Sequence, residues 1–358
     1  MTGSVTAPAP QLPWRLRWRN WLRRKVRRWF QWRAPQNPSA APDALTWQLS
    51  RVAKLAGGFV PAHRLPPLLL RRAYRLTTLP FHLDAMPVRT CRNLKLGSGL
   101  RVRIYVPASA GLSGAPALVY YHGGGCVVGD LETHDTICRF LATSADLHVI
   151  SVHYRLAPRY RFPLFALDAI EAFNWVAGEA ANLGIDPSRI GVGGDSAGGY
   201  LATLLCLQAL APTFGMRPLR MPAYQWLVYP AVDFRDEGVS SGFDHGVLLT
   251  DSLMRYFHRH AVAPGLDPSR PDVSPLLAES LVGMPRGMLL TVGHDPLCAQ
   301  GQRYVERLRL SDVAITHLHF PRLMHEFISM GGVCPESRSA LEAAAGALRD
   351  LVRPEPYT

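Results

Sequence analysis

Two glycine-rich stretches hold the residues whose types and spacing could do chemistry. The first is Gly194-Asp195-Ser196-Ala197-Gly198, inside GVGGDSAGGYLA. It follows the strand-like run RIGV and precedes the helix-like run YLATLLCLQAL. A serine between two glycines in that setting is the pattern of a nucleophile on a sharp strand-to-helix turn. Close packing and a strained backbone leave no room for Cβ atoms two positions away. A serine hydroxyl is a weak nucleophile and needs an adjacent base. Thirteen histidines compete for that role. His317 and His319 alternate with apolar residues inside a predicted strand and read as packing or surface residues. His325 follows HFPRLM and precedes EFISMGG, just past the strand end, where a late loop presents its side chain. Asp295, in VGHDPL beside His294, is placed at the end of the preceding strand to accept a hydrogen bond from that histidine. The chain order Ser196, Asp295, His325 differs from both protease orders of the same triad.

The second stretch is YYHGGGCVVGDLETHD, from Tyr120 to Asp135. Acyl transfer develops negative charge on oxygen and needs preorganised N–H donors. Donors on the backbone must approach the substrate closely, and side chains would block them. In this reading Gly123, Gly124 and Gly125 supply a loop with exposed N–H groups and no obstructing Cβ. Ala197 adds another at a helix N-terminus, where the dipole favours an anion. His122, Gly125 and Asp195 read as loop supports.

These residues need elements to hold them. Short apolar runs (ALVYYHGG, HVISVHYR, RIGVGGDS, AYQWLVYP, GMLLTVGHD, AITHLHFP) alternate with helix-like segments near 133–145, 165–182, 197–210, 299–311 and 336–352. That alternation predicts an α/β fold with a mostly parallel sheet wrapped on both faces. Functional groups then sit at the carboxyl ends of the strands. Residues 88–107 alternate about Gly97-Ser98-Gly99 and predict a β-hairpin. The stretch 234–284 interrupts the alternation and is too long for a simple connection. It reads as a cap, together with the helix-like runs of 43–82, on a hydrolase domain spanning 43–358.

Composition excludes other classes. Of 358 residues 48% are hydrophobic, enough for a full core. The net charge of +12 is uneven: nine Lys or Arg and no acid precede residue 34, so the remainder carries 12 − 9 = +3. The body is close to neutral and offers no basis for a nucleic-acid partner. Six dispersed cysteines lack metal-like spacing and imply reduced thiols in a cytoplasmic setting. No metal and no cofactor is expected. No apolar run reaches spanning length, so no transmembrane helix is expected, and the N-terminal segment does not read as a secretory leader.

The basic excess lies in LPWRLRWRNWLRRKVRRWFQWR, residues 12–33. On a helical wheel Trp14, Trp18, Trp21, Leu22, Val26, Trp29 and Trp32 share one face. Arg17, Arg19, Arg23, Arg24, Arg27 and Arg28 fall on the other. This pattern fits a helix at an anionic membrane surface, peripheral on its inner face. A disordered arm, packing of the tryptophans on the cap, and RNA binding are the competing readings. APQNPSAAP, residues 34–42, reads as a linker that makes 1–42 a separate arm.

YHGGGCVVGDLETHD, VHYRLAPRYRFP, GVGGDSAGGYLA, VGHDPLCAQGQRYVERL and FPRLMHEF together resemble, in order, the blocks of the hormone-sensitive-lipase-like carboxylesterases. The resemblance runs from about 85 to 350 and implies an α/β-hydrolase fold with a helical cap. It implies Ser196, Asp295 and His325 as triad, Gly123, Gly124 and Ala197 as oxyanion hole, and no cofactor. Three positions depart from the family pattern: Arg159 stands for a usual Glu, Tyr200 for Asn, and Glu326 for Gly. The expected activity is hydrolysis of small short- to medium-chain esters through an acyl-enzyme. Hydrolysis of membrane-derived lipid esters and amide deacylation are alternatives on the same triad. A non-catalytic receptor, as in the related plant gibberellin receptors, would have lost the histidine that is retained here.

Overall fold

A computed structural model of the chain describes residues 12–31, 62–109, 114–213, 215–235 and 248–353. An eight-stranded sheet runs through it: β1 (Thr90–Lys95), β2 (Arg101–Val106), β3 (Ala115–Tyr121), β4 (His148–His153), β5 (Ile185–Asp195), β6 (Gln225–Val228), β7 (Gly287–His294) and β8 (Ile315–Met324). The strand order is β1-β2-β4-β3-β5-β6-β7-β8. β2 pairs antiparallel with both β1 and β4, and every other pairing is parallel. The hairpin expected about Gly97-Ser98-Gly99 is β1–β2, closed by Leu96 N–H to Leu100 O at 2.8 Å.

Eight helices are described: α1 (Trp14–Gln31), α2 (Pro67–Thr78), α3 (Asp135–Ala145), α4 (Leu164–Gly178), α5 (Ala197–Leu210), α6 (Asp251–Ala261), α7 (Cys298–Leu310) and α8 (Pro335–Leu351). The period-2 alternation of β3 divides the core. Ala117, Val119 and Tyr121 join the apolar layer built with α4, α5 and α7. Leu118 and Tyr120 join the layer built with α3 and α8. A parallel sheet buried on both faces follows directly from such strands, and β3 is buried throughout.

α6 begins where Thr250 caps it, its hydroxyl accepting from Leu253 N–H at 3.2 Å. α6 lies within the expected cap segment 234–284, and α2 within 43–82. The helix-like run 44–57 and the linker 34–42 lie outside the described residues.

α1 departs from a separate arm. Arg19 reaches Glu132 at 2.8 Å, Arg24 reaches Asp84 at 3.2 Å, and Asn20 Oδ1 accepts from Ala85 N–H at 3.0 Å. Arg19, Asn20 and Arg24 thus tie α1 to the body, with the Arg24 side chain still 56% exposed. Trp14, Trp18 and Trp21 are 66%, 57% and 50% exposed. Among the described residues no helix is long and apolar enough to cross a membrane.

Candidate active site

β5 ends at Asp195 and α5 starts at Ala197, so Ser196 alone makes the turn. Its backbone takes φ 53° and ψ −116°, a conformation that costs a non-glycine residue about 1–3 kcal/mol. Its neighbours hold it there. Ser196 N–H donates to Val228 O at 2.9 Å. A Cβ on either Gly194 or Gly198 would run into the Tyr121 carbonyl, which explains both glycines of the pattern by close approach.

His325 follows β8 and is buried, and its N–H donates to His294 O at 3.3 Å. His325 Nε2 lies 3.0 Å from Ser196 Oγ, and its Nδ1 lies 2.8 Å from Asp295 Oδ2. Asp295 Oδ1 also accepts Leu297 N–H at 2.8 Å, which sets the carboxylate's orientation. The three residues selected from sequence are thus brought together from the ends of β5, β7 and β8. Burial opposes charge on the His325 imidazole, but the Asp295 carboxylate, with Glu326 and Asp195 adding to it, raises the pKa overall above the ordinary 6.5. His317 and His319 lie elsewhere, both within hydrogen-bonding distance of Thr291 Oγ1, at 2.8 and 2.9 Å.

The glycine loop corrects one expectation. Gly123 N–H donates to Asp195 Oδ1 at 3.0 Å, so it is committed to a carboxylate and does not point at an incoming oxygen. Among the described residues the N–H groups of Gly124, Gly125 and Ala197 have no acceptor. Gly125 and Ala197 also line the cavity at Ser196, whereas Gly123 and Gly124 do not. Gly125, read from sequence as a support, therefore presents a free donor beside the serine.

The support is deeper than the sequence suggested. Asp195, fully buried, also accepts from Tyr120 OH at 2.5 Å and lies 3.4 Å from His134 Nε2. Burial disfavours its ionised form, but His134 and Tyr120 hold its pKa below the usual value. His122 stacks on Tyr154 with ring centroids 4.3 Å apart, and Tyr154 OH donates to His122 O at 2.7 Å. Burial lowers the His122 pKa to about 3, so the ring is neutral. Tyr120, His134 and Tyr154 escaped sequence reasoning. Strand alternation placed Tyr120 on one face, but nothing local indicated a carboxylate opposite it.

Two of the three departures from the family pattern contribute here. Tyr200 is buried against Phe234, centroids 4.6 Å apart. Glu326 takes φ +73° and accepts from Tyr74 OH of α2 at 3.2 Å. Burial raises the Glu326 pKa.

The cavity beside Ser196 is about 40 Å³, with apolar walls from Ala231, Phe234, Leu249, Met254, Phe257 and Leu297. Among the described residues no group of His, Cys, Asp and Glu could hold a metal ion.

The sheet order and the serine turn at the end of β5 define an α/β hydrolase. A family model of the alpha/beta hydrolase fold matches residues 118–329. The carboxylic ester hydrolase LipN of Mycobacterium tuberculosis is 38% identical over 250 residues, covering 69% of this chain and 66% of LipN. The ethyl acetate hydrolase of Pseudomonas putida is 35% identical over 319 residues, covering 87% of this chain and 99% of that enzyme. An α/β-hydrolase enzyme from the Lake Arreo metagenome superposes with a TM-score of 0.78 at 34% identity, over 85% of this chain and 96% of its own. The chain belongs to the hormone-sensitive-lipase-like family of α/β hydrolases, a family of carboxylic ester hydrolases.

Proposed function

We propose that the protein is a serine carboxylesterase acting on short- to medium-chain acyl esters through an acyl-enzyme on Ser196. The observation that carries this reading is the continuous hydrogen-bonded line from Ser196 Oγ through His325 to Asp295, at 3.0 and 2.8 Å. Nε2 of His325 takes the serine proton as Oγ attacks the ester carbonyl. Asp295 holds Nδ1–H and stabilises the imidazolium that forms. The N–H groups of Ala197, Gly125 and Gly124 receive the developing oxyanion, at the N-terminus of α5. His325 then returns the proton to the leaving alcohol, and a water repeats the sequence to release the acid. The small apolar space beside Ser196 favours a short acyl group. Helices α2 and α6, with their flanking segments, act as the cap: Phe257 and Met254 of α6 line the acyl cavity, and Tyr74 of α2 holds Glu326.

The test is a chain-length series of simple esters with a phosphonate inhibitor. Ser196→Ala should lose hydrolysis and labelling together while keeping its melting temperature. Label on another serine, or an undiminished Ser196→Ala, would overturn the assignment. Turnover of amides but not esters would favour the deacylase reading, and inhibitor labelling without turnover the receptor reading.

A second reading concerns the surface on which the enzyme works. Three outward tryptophans on a helix fastened to the body by Arg19, Asn20 and Arg24 suit a membrane interface, where indoles sit at headgroup depth. This reading extends the substrate range to lipid esters.

A further inference from the structure

A second cavity, of about 550 Å³, shares no lining residue with the one at Ser196. Its walls come from the β1–β2 turn, from the residues following β4, and from Arg71 of α2. Five cationic side chains line it (Arg71, Lys95, Arg101, Arg155 and Arg159) against two carboxylates. Only one of the two carboxylates is matched by a cation. Asp168 is gripped by Arg155, Nη2 to Oδ1 at 2.6 Å, and Glu171 accepts from the Ser98 hydroxyl.

The other four cations have no carboxylate partner among the described residues. Arg71 spends Nε and Nη2 on the carbonyls of Val127 and Ala157, each at 2.7 Å, which leaves its net charge unmatched. Arg159 lies over the Tyr160 ring, its guanidinium carbon 5.3 Å from the centroid. His153, also in the wall, has a buried Nδ1 without a hydrogen-bond partner. Like charges gathered in a concavity repel one another and focus the field on a counter-ion. Guanidinium forks match the oxygens of a phosphate group and pair with it more strongly than with a neutral ligand. The body as a whole carries little excess charge, so this concentration is local.

We propose that this cavity binds a small phosphate-bearing anion, at a site separate from the ester pocket. Five cations against two carboxylates leave 5 − 2 = +3 in the wall, which suits a group with more than one negative charge, and the volume accommodates more than a bare phosphate.

The experiment is calorimetric titration of the full chain with inorganic pyrophosphate at low salt, for wild type, Ser196→Ala and the double variant Lys95→Glu/Arg159→Glu. Both residues of the double variant are exposed, and melting temperatures check its fold. The milder Lys95→Gln/Arg159→Gln serves if charge reversal unfolds the chain. Wild type and Ser196→Ala should bind alike. Reversing two charges should weaken binding at least about 10-fold, or 1.4 kcal/mol. Vesicles of phosphatidylcholine with and without phosphatidic acid separate the sources of the phosphate. Sedimentation that needs both phosphatidic acid and Lys95/Arg159 marks a lipid headgroup, whereas pyrophosphate binding alone marks a soluble phosphate. Either supports the site. Absence of pyrophosphate heat, affinity unchanged in the double variant, or competition by the phosphonate-labelled serine would overturn it. Because the readout is binding, it stands whether or not Ser196 proves to be the nucleophile.

Discussion

Gly123 N–H donates to Asp195 Oδ1 over 3.0 Å, and this one bond ties the glycine loop to the residue before Ser196. Two segments 72 residues apart, each glycine-rich, are thereby fixed relative to each other. Asp195→Ala should remove the acceptor shared by Gly123 N–H and Tyr120 OH. Each buried donor left unsatisfied costs about 1–3 kcal/mol. The expected result is a lower melting temperature and a fall in kcat larger than any rise in KM, because the loop donors lose their register. Unchanged kcat would show that the loop holds its shape without this bond.

The assignment of oxyanion donors predicts an asymmetry within the loop. Gly125→Ala should push a methyl into the Phe257 ring at a backbone φ of +60°, beside the serine. Loss of one oxyanion donor typically costs about 10²–10³-fold in kcat. Gly123→Ala instead collides with the Asp195 carboxylate and should act through stability. Equal melting temperatures but a larger rate loss for Gly123→Ala would reverse the two assignments.

The pH profile should carry the signature of His325. The base must be neutral to act, so activity falls as pH drops through its pKa. Burial lowers that pKa, but Asp295, with a smaller push from Glu326, raises it overall, so the acid limb should lie above 6.5. Glu326→Gln removes one raising charge and should shift the limb to lower pH with little change in the plateau rate. Asp295→Asn should shift it lower still. That variant should also lose on the order of 10⁴-fold in kcat, since the imidazole loses its orienting partner. An acid limb that Glu326→Gln leaves in place would show that this carboxyl is protonated in the working enzyme.

For α1, Trp14→Ser/Trp18→Ser/Trp21→Ser should leave hydrolysis of a small soluble ester unchanged. None of the three lies at the active site, and all are exposed. Sedimentation with anionic vesicles should fall sharply. Salt should weaken the wild-type interaction only modestly, because Arg19 and Arg24 are already paired with Glu132 and Asp84. Equal vesicle binding by wild type and variant would refute the membrane reading.

Much of the site was legible because its rules are local. Gly194-x-Ser196-x-Gly198 between a β-branched run and an apolar helix states a strand, a tight turn and a helix in order. The chain positions of Asp295 and His325, each just past a predicted strand, follow from the period of the sheet. Strand alternation and helix spacing likewise specified the parallel sheet and the hairpin about Gly97-Ser98-Gly99. What the sequence could not decide depends on approaches between distant segments. Which glycine N–H stays free depends on the Asp195 carboxylate taking that of Gly123, a contact across 72 residues. The sequence showed a carboxylate beside His325, but only the left-handed backbone of Glu326 and the reach of Tyr74 decided where it points. The helical wheel of α1 could not tell which of its residues meet the body. Glu132 and Asp84 decided that, because a paired charge at a tertiary contact depends on where the partner folds and not on the helix's own periodicity.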